Sequence, residues 1–153
     1  MAIASGSLAP DFELIADNGV PWKLSSARGK KVLLVFYPGD DTLVCTAQLC
    51  DYRDGIESFR GFQTDVVGIS MNDKESHQKF KEKYDLPFPL LSDPDHKVAA
   101  QYGCMSPLGT RRGVYLIDEK GIIRYGHVEL MTLFKRSREE LLKVLAQIPN
   151  REA

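Results

Sequence analysis

Short apolar runs alternate along this chain with longer stretches of helical periodicity, and the alternation predicts the order of elements. Residues 10–14 and 20–24 flank Asn18-Gly19, a dipeptide suited to a tight turn with positive φ angles, which predicts a short hairpin. Residues 31–37 (KVLLVFY) form a nearly continuous β-branched and aromatic run, the pattern of a central strand covered on both faces. It stops at Pro38-Gly39-Asp40-Asp41, and a helical pattern runs from there over residues 43–59. A buried strand at 65–70 is followed by Asn72-Asp73-Lys74-Glu75, with the polar spacing of a capping box, and a charged helix to residue 84. A short strand at 90–91, a helix over 95–102 and a strand at 114–117 come next. The turn Asp118-Glu119-Lys120-Gly121 then leads to a hairpin partner at 122–128. The last helix starts near Ser137, where Ser137 and Glu140 fit a capping box and Leu141, Leu142, Val144, Leu145 and Ile148 make one apolar face.

Strands alternating with helices, plus hairpins, predict an α/β fold with a mixed central sheet flanked by helices. At 153 residues and 43% hydrophobic content the chain suits one domain over 1–153. Twenty Lys and Arg nearly cancel 21 Asp and Glu, and no run of five like charges occurs, which gives no footprint for nucleic acid or an anionic membrane. The start MAIASGSLAPDF lacks a basic, then apolar leader, and no stretch approaches a membrane span, so the reading is soluble and cytoplasmic. Three cysteines are too few for a secreted disulfide scaffold, and a reducing compartment would keep them as thiols.

The chemistry concentrates in Phe36-Tyr37-Pro38-Gly39-Asp40-Asp41-Thr42-Leu43-Val44-Cys45-Thr46-Ala47-Gln48-Leu49-Cys50. A buried strand and a proline-glycine turn lead to a helix whose first turn holds Cys45, where unpaired N–H groups and the positive helix end favour thiolate over thiol. Ionising an ordinary cysteine fully yields only about a thirtyfold gain at neutral pH. Groups that align substrate and stabilise charge must supply the rest.

Pro38, Thr42 and Cys45 match the PxxxTxxC signature of peroxiredoxins, and Cys50 stands where the Q-type, bacterioferritin-comigratory branch keeps its resolving cysteine. Gly6 to Phe12, Cys50 to Asp54 and Arg112 to Asp118 also resemble that family's segments, so the likeness spans nearly the whole chain. The resemblance implies a thioredoxin-like fold, reduction of hydrogen peroxide or alkyl hydroperoxides, and no metal or organic cofactor. By it, Cys45 attacks the peroxide and becomes a sulfenic acid, Thr42 and Arg112 hold the oxygens, and Tyr37, Pro38, Leu43 and Val44 line the pocket. Cys50 then closes a disulfide that thioredoxin or a glutaredoxin-like dithiol protein reduces. The missing C-terminal extension after Pro149-Asn150-Arg151-Glu152-Ala153 points to a monomer.

Two departures stand out: Leu43-Val44 replaces the branch's usual Pro-Gly, and Gln48 replaces its usual glutamate, removing a carboxylate that would help fix the arginine. Cys50 also reads as a core thiol, which would make this a one-cysteine peroxidase, and Cys104 as a second resolving thiol or, by default, a buried one. A thiol-disulfide oxidoreductase would use Cys-x-x-Cys, which is absent, and a zinc or redox-sensing module would draw on all three cysteines. His77, His96 and His127 read as surface residues, Asp40 and Asp41 as turn residues, and Arg112 alternatively as a solvated neighbour of Arg111.

Overall fold

The computed structural model describes residues 3–107, 109–129 and 135–148. The elements run β1 (Glu13–Ala16), β2 (Pro21–Lys23), a 3-10 turn (Leu24–Ala27), β3 (Lys31–Phe36), α1 (Leu43–Asp54), α2 (Ile56–Gly61), β4 (Thr64–Ser70), α3 (Lys74–Tyr84) and β5 (Leu90–Ser92). They continue with α4 (Lys97–Gln101), β6 (Met105–Ser106), β7 (Gly109–Thr110), β8 (Gly113–Ile117), β9 (Ile123–Val128) and α5 (Arg138–Gln147). Seven strands form a mixed sheet in the order β2-β1-β5-β4-β3-β8-β9, with β3 parallel to β4 and antiparallel to β8. The mixed sheet, its flanking helices and the N-terminal hairpin are those expected from the sequence.

All six residues of β3 are buried, because alternate side chains serve two cores. Val32, Leu34 and Phe36 join Tyr102, Cys104, Tyr115 and Ile117 on one face. Leu33, Val35 and Tyr37 join Cys45, Leu49, Tyr52, Phe80, Leu141 and Leu145 on the other, beneath α1, α3 and α5.

Several expectations are corrected. The single helix over 43–59 is two helices that meet at Gly55, where a Cβ would lie 2.8 Å from Cδ of Arg138. The start of α5 packs there, and the Arg138 N–H donates to Asp51 Oδ2 at 2.8 Å. In the β1–β2 turn only Gly19 has positive φ (+81°), not both residues of the Asn18-Gly19 pair. The cap of α3 is Asp73, whose carboxylate accepts from Ser76 N–H at 2.8 Å, so the box at Asn72 and Glu75 does not form. Asn72 instead accepts from the Asp40 N–H at 2.9 Å and from Ser70 Oγ at 2.8 Å. The box at Ser137 and Glu140 forms as expected. The small β6–β7 hairpin had no signal in the apolar pattern. Pro149 to Ala153, which carried the monomer expectation, lie outside the described residues.

Candidate active site

Thr42 is the N-cap of α1, with extended backbone (φ −86°, ψ 155°), and its Oγ1 donates to the Gly39 carbonyl at 3.1 Å instead of capping the helix. The first intrahelical bond runs from Thr46 N–H to the Thr42 carbonyl at 2.8 Å. The N–H groups of Leu43, Val44 and Cys45 therefore precede the helical ladder and point out of its positive end. Cys45, third in the helix, turns inward and is 0% exposed.

The Arg112 guanidinium meets it from the neighbouring β8 side. Arg112 is 2% exposed, its Nη2 donates to Cys45 Sγ at 3.3 Å, and its Nη1 donates to Gln48 Oε1 at 2.6 Å. Gln48 Nε2 donates to the Tyr52 hydroxyl at 3.0 Å, and that hydroxyl donates to the Arg136 carbonyl at 2.6 Å. The neutral amide oxygen thus holds the arginine at the position where the resemblance would place a glutamate carboxylate. A buried cation on sulfur stabilises negative charge there far better than one in water. Arg112, not the half-buried Arg111, makes this contact, so the solvated-pair reading of Arg112 is set aside.

The other candidates sit nearby in different settings. Tyr37 is buried and donates to Asp40 Oδ1 at 2.6 Å, Pro38 and Val44 are half-buried, and Leu43 stands 89% exposed on the first turn. Cys50 is half-buried and lies in the same unbroken helix as Cys45, and all three cysteines are free thiols. Burial raises the Cys50 pKa, with Asp54 adding to this and Arg53 opposing it.

Cys104 belongs to the core on the opposite face of the sheet, and burial pushes its pKa up to about 12. It fits the buried-thiol alternative and is separated from Cys45 by the strands between the two cores. A Cβ on Gly113 would meet Cys104 Sγ at 2.6 Å and Val128 Cγ2 at 3.4 Å. Gly113→Ala is therefore expected to destabilise the fold by about 1–3 kcal/mol through overpacking. The check is the denaturant midpoint, and an unchanged midpoint would show that Cys104 has room to move.

The surface reading of His77 is overturned: it is 0% exposed, with Nδ1 2.7 Å from Asp40 Oδ2. His77 and Phe80, at helical i, i+3 spacing, share the inner face of α3, a signal present in the sequence and unused. His96 and His127 are half-buried. Asp40 and Asp41 do lie in a turn, but each is tied to α3. Asp41, at φ +57°, accepts from Lys83 Nζ and the Tyr84 hydroxyl, both at 2.9 Å, and these bonds lower its pKa. Among the described residues no group of three or more His, Cys, Asp or Glu is placed to hold a metal ion, and no helix is long and apolar enough to cross a membrane.

A model of the AhpC/TSA family matches residues 5–126. Peroxiredoxin Bcp of Bacillus subtilis (strain 168) is 42% identical over 129 residues, covering 79% of this chain and 82% of that protein. The chloroplastic peroxiredoxin Q of Oryza sativa subsp. japonica is 42% identical over 126 residues, 80% of this chain, and this chain spans only 58% of that relative's length. The crystal structure of peroxidoxin BcpB from Mycobacterium tuberculosis superposes with a TM-score of 0.86 at 29% identity, covering 95% of this chain and 98% of that one. The architecture is accordingly the thioredoxin-like fold that the resemblance implied. With the family's segments matched over most of its length, this chain belongs to the AhpC/TSA family, in its peroxiredoxin Q and Bcp branch.

Proposed function

We propose that this protein is a thiol-dependent peroxidase acting on hydrogen peroxide and alkyl hydroperoxides, with Cys45 as nucleophile. The observation that carries the reading is the buried Arg112 guanidinium donating to Cys45 Sγ at 3.3 Å at the open end of α1. The Cys45 thiolate attacks one peroxide oxygen and the O–O bond breaks, leaving a sulfenic acid and an alkoxide or hydroxide that takes up a proton. Arg112 and the N–H groups of the first turn stabilise the developing charge, joined by the Thr42 hydroxyl once it turns from the Gly39 carbonyl, and Tyr37, Pro38, Leu43 and Val44 border the approach.

Cys50 then condenses with the sulfenic acid, releasing water and forming a disulfide. Two electrons from thioredoxin or a glutaredoxin-like dithiol protein restore the thiols. Residues five apart on a helix have Cα atoms about 8 to 9 Å apart. Disulfides rarely span more than about 7 Å, so α1 must unwind around residues 43–50 before the bond closes. The proposed unit is one domain working as a monomer in a reducing compartment such as the cytoplasm.

Peroxide-dependent NADPH oxidation in the presence of thioredoxin and its reductase tests the reading. Arg112→Met, which keeps bulk and removes charge, is expected to slow the reaction of reduced protein with peroxide by about 10²–10³-fold, the usual loss of one transition-state donor. Stopped-flow rates check this, and a wild-type rate would remove Arg112 from the chemistry.

A further inference from the structure

A buried polar cluster lies beneath the turn that leads into α1, and peroxide chemistry gives its His77–Asp40 contact no role. His77 Nε2 lies 3.0 Å from the Leu91 carbonyl of β5, and Nδ1 lies 2.7 Å from Asp40 Oδ2. A carbonyl oxygen only accepts, so Nε2 carries a hydrogen. A bare Nδ1 would set its lone pair against a carboxylate lone pair at 2.7 Å, so a proton lies in that bond too.

The remaining partners decide which side owns it. Asp40 Oδ1 accepts from the Tyr37 hydroxyl at 2.6 Å, and Oδ2 accepts from Ser76 Oγ at 2.8 Å as well as from His77. Donors on both oxygens stabilise the ionised acid. Tyr37 stays a donor: burial, then the Asp40 charge beside it, raises its pKa well above the usual 10. Its hydroxyl is 3.5 Å from His77 Nδ1. From β4 the cluster receives Ser70, which donates to Asn72, the acceptor of the Asp40 N–H. On the solvent side Asp73, Glu75, Lys79 and Lys83 border the cleft over Asp40.

We propose that His77 and Asp40 form a buried imidazolium–carboxylate pair that positions the 38–42 turn, and through it Thr42 and Cys45, for attack on peroxide. Asp40 is two residues before the N-cap of α1, so its displacement is passed directly to the first turn of the helix. A misplacement of about 1 Å at a reacting group costs on the order of 10²-fold in rate. The effect on rate rests on the peroxidase reading; the pair itself does not.

The test is nitrogen-resolved imidazole NMR of the reduced wild-type protein beside rate measurements on variants. Both ring nitrogens of His77 are expected to carry hydrogen in the folded protein, and Asp40→Asn is expected to return the ring to a single-hydrogen pattern. His77→Gln, which takes the ring N–H from Asp40 and leaves its carboxylate only the Tyr37 and Ser76 hydroxyls, should slow the peroxide reaction by about tenfold or more. His77→Asn, which keeps an N–H directed at Asp40, should restore most of the rate. A wild-type His77 ring with hydrogen on one nitrogen only, or a folded His77→Gln protein of wild-type rate, would overturn the proposal. A wild-type protein inert to peroxide would refute the enzymatic reading, while the NMR result still decides the pair.

Discussion

Cys45→Ser is expected to consume no peroxide in the thioredoxin-coupled assay, at any enzyme concentration that leaves the uncatalysed background visible. Serine keeps the size of the side chain, so the packing around Leu49 and Tyr52 survives and far-UV circular dichroism should be unchanged. A hydroxyl in place of the thiol is not ionised near neutral pH, and the Arg112 charge acts on a neutral group. Oxygen also has no counterpart to the sulfenic acid, so neither half of the reaction can start. Burying the hydroxyl costs about 1–3 kcal/mol at most, and it retains the Arg112 donor as a partner. Activity in this variant comparable with wild type would remove the nucleophile from the account.

Cys50→Ser is expected to behave differently, with one rapid turnover per protein followed by arrest. The peroxide-reacting geometry of Cys45, Arg112 and Gln48 does not involve Cys50, so the burst should keep its wild-type rate. Arrest follows because the sulfenic acid then has no partner within the chain that it can reach: Cys104 lies in the core across the sheet. In the proposed cycle, disulfide formation requires α1 to open, and opening breaks the Gln48 contact to Arg112 and the Gln48 contact to Tyr52. Amide exchange in residues 43–50 is therefore expected to rise in the oxidised wild type and stay slow in reduced Cys50→Ser. Sustained turnover without an added small thiol would make Cys50 a core residue and shift resolution to another thiol.

What the sequence disclosed depended on how local the cause was. The β3 strand was legible because KVLLVFY is buried on both faces and needs no partner to be recognised. The first-turn position of Cys45 was legible because a strand, a Pro-Gly turn and a helical pattern follow one another directly. The break at Gly55 was not, because its reason is Arg138 at the start of α5. The anchor of Arg112 was not legible for the same reason: Gln48 lies 64 residues away in the chain, and only the fold brings its amide to the guanidinium. Asp40 looked like any turn aspartate until α3 supplied Ser76 and His77 to its carboxylate. Family likeness pointed to Arg112, whereas the roles of Gln48, Tyr52 and Asp40 needed the folded arrangement.

The central claim is that Cys45 takes the oxygen and Cys50 removes it, and mass analysis after one equivalent of peroxide tests it most directly. Reduced wild-type protein should lose two hydrogens and give a peptide linked between Cys45 and Cys50, while Cys50→Ser should gain one oxygen on Cys45. Oxidation first at Cys50 or Cys104, or an unmodified Cys45 in both proteins, would contradict the account.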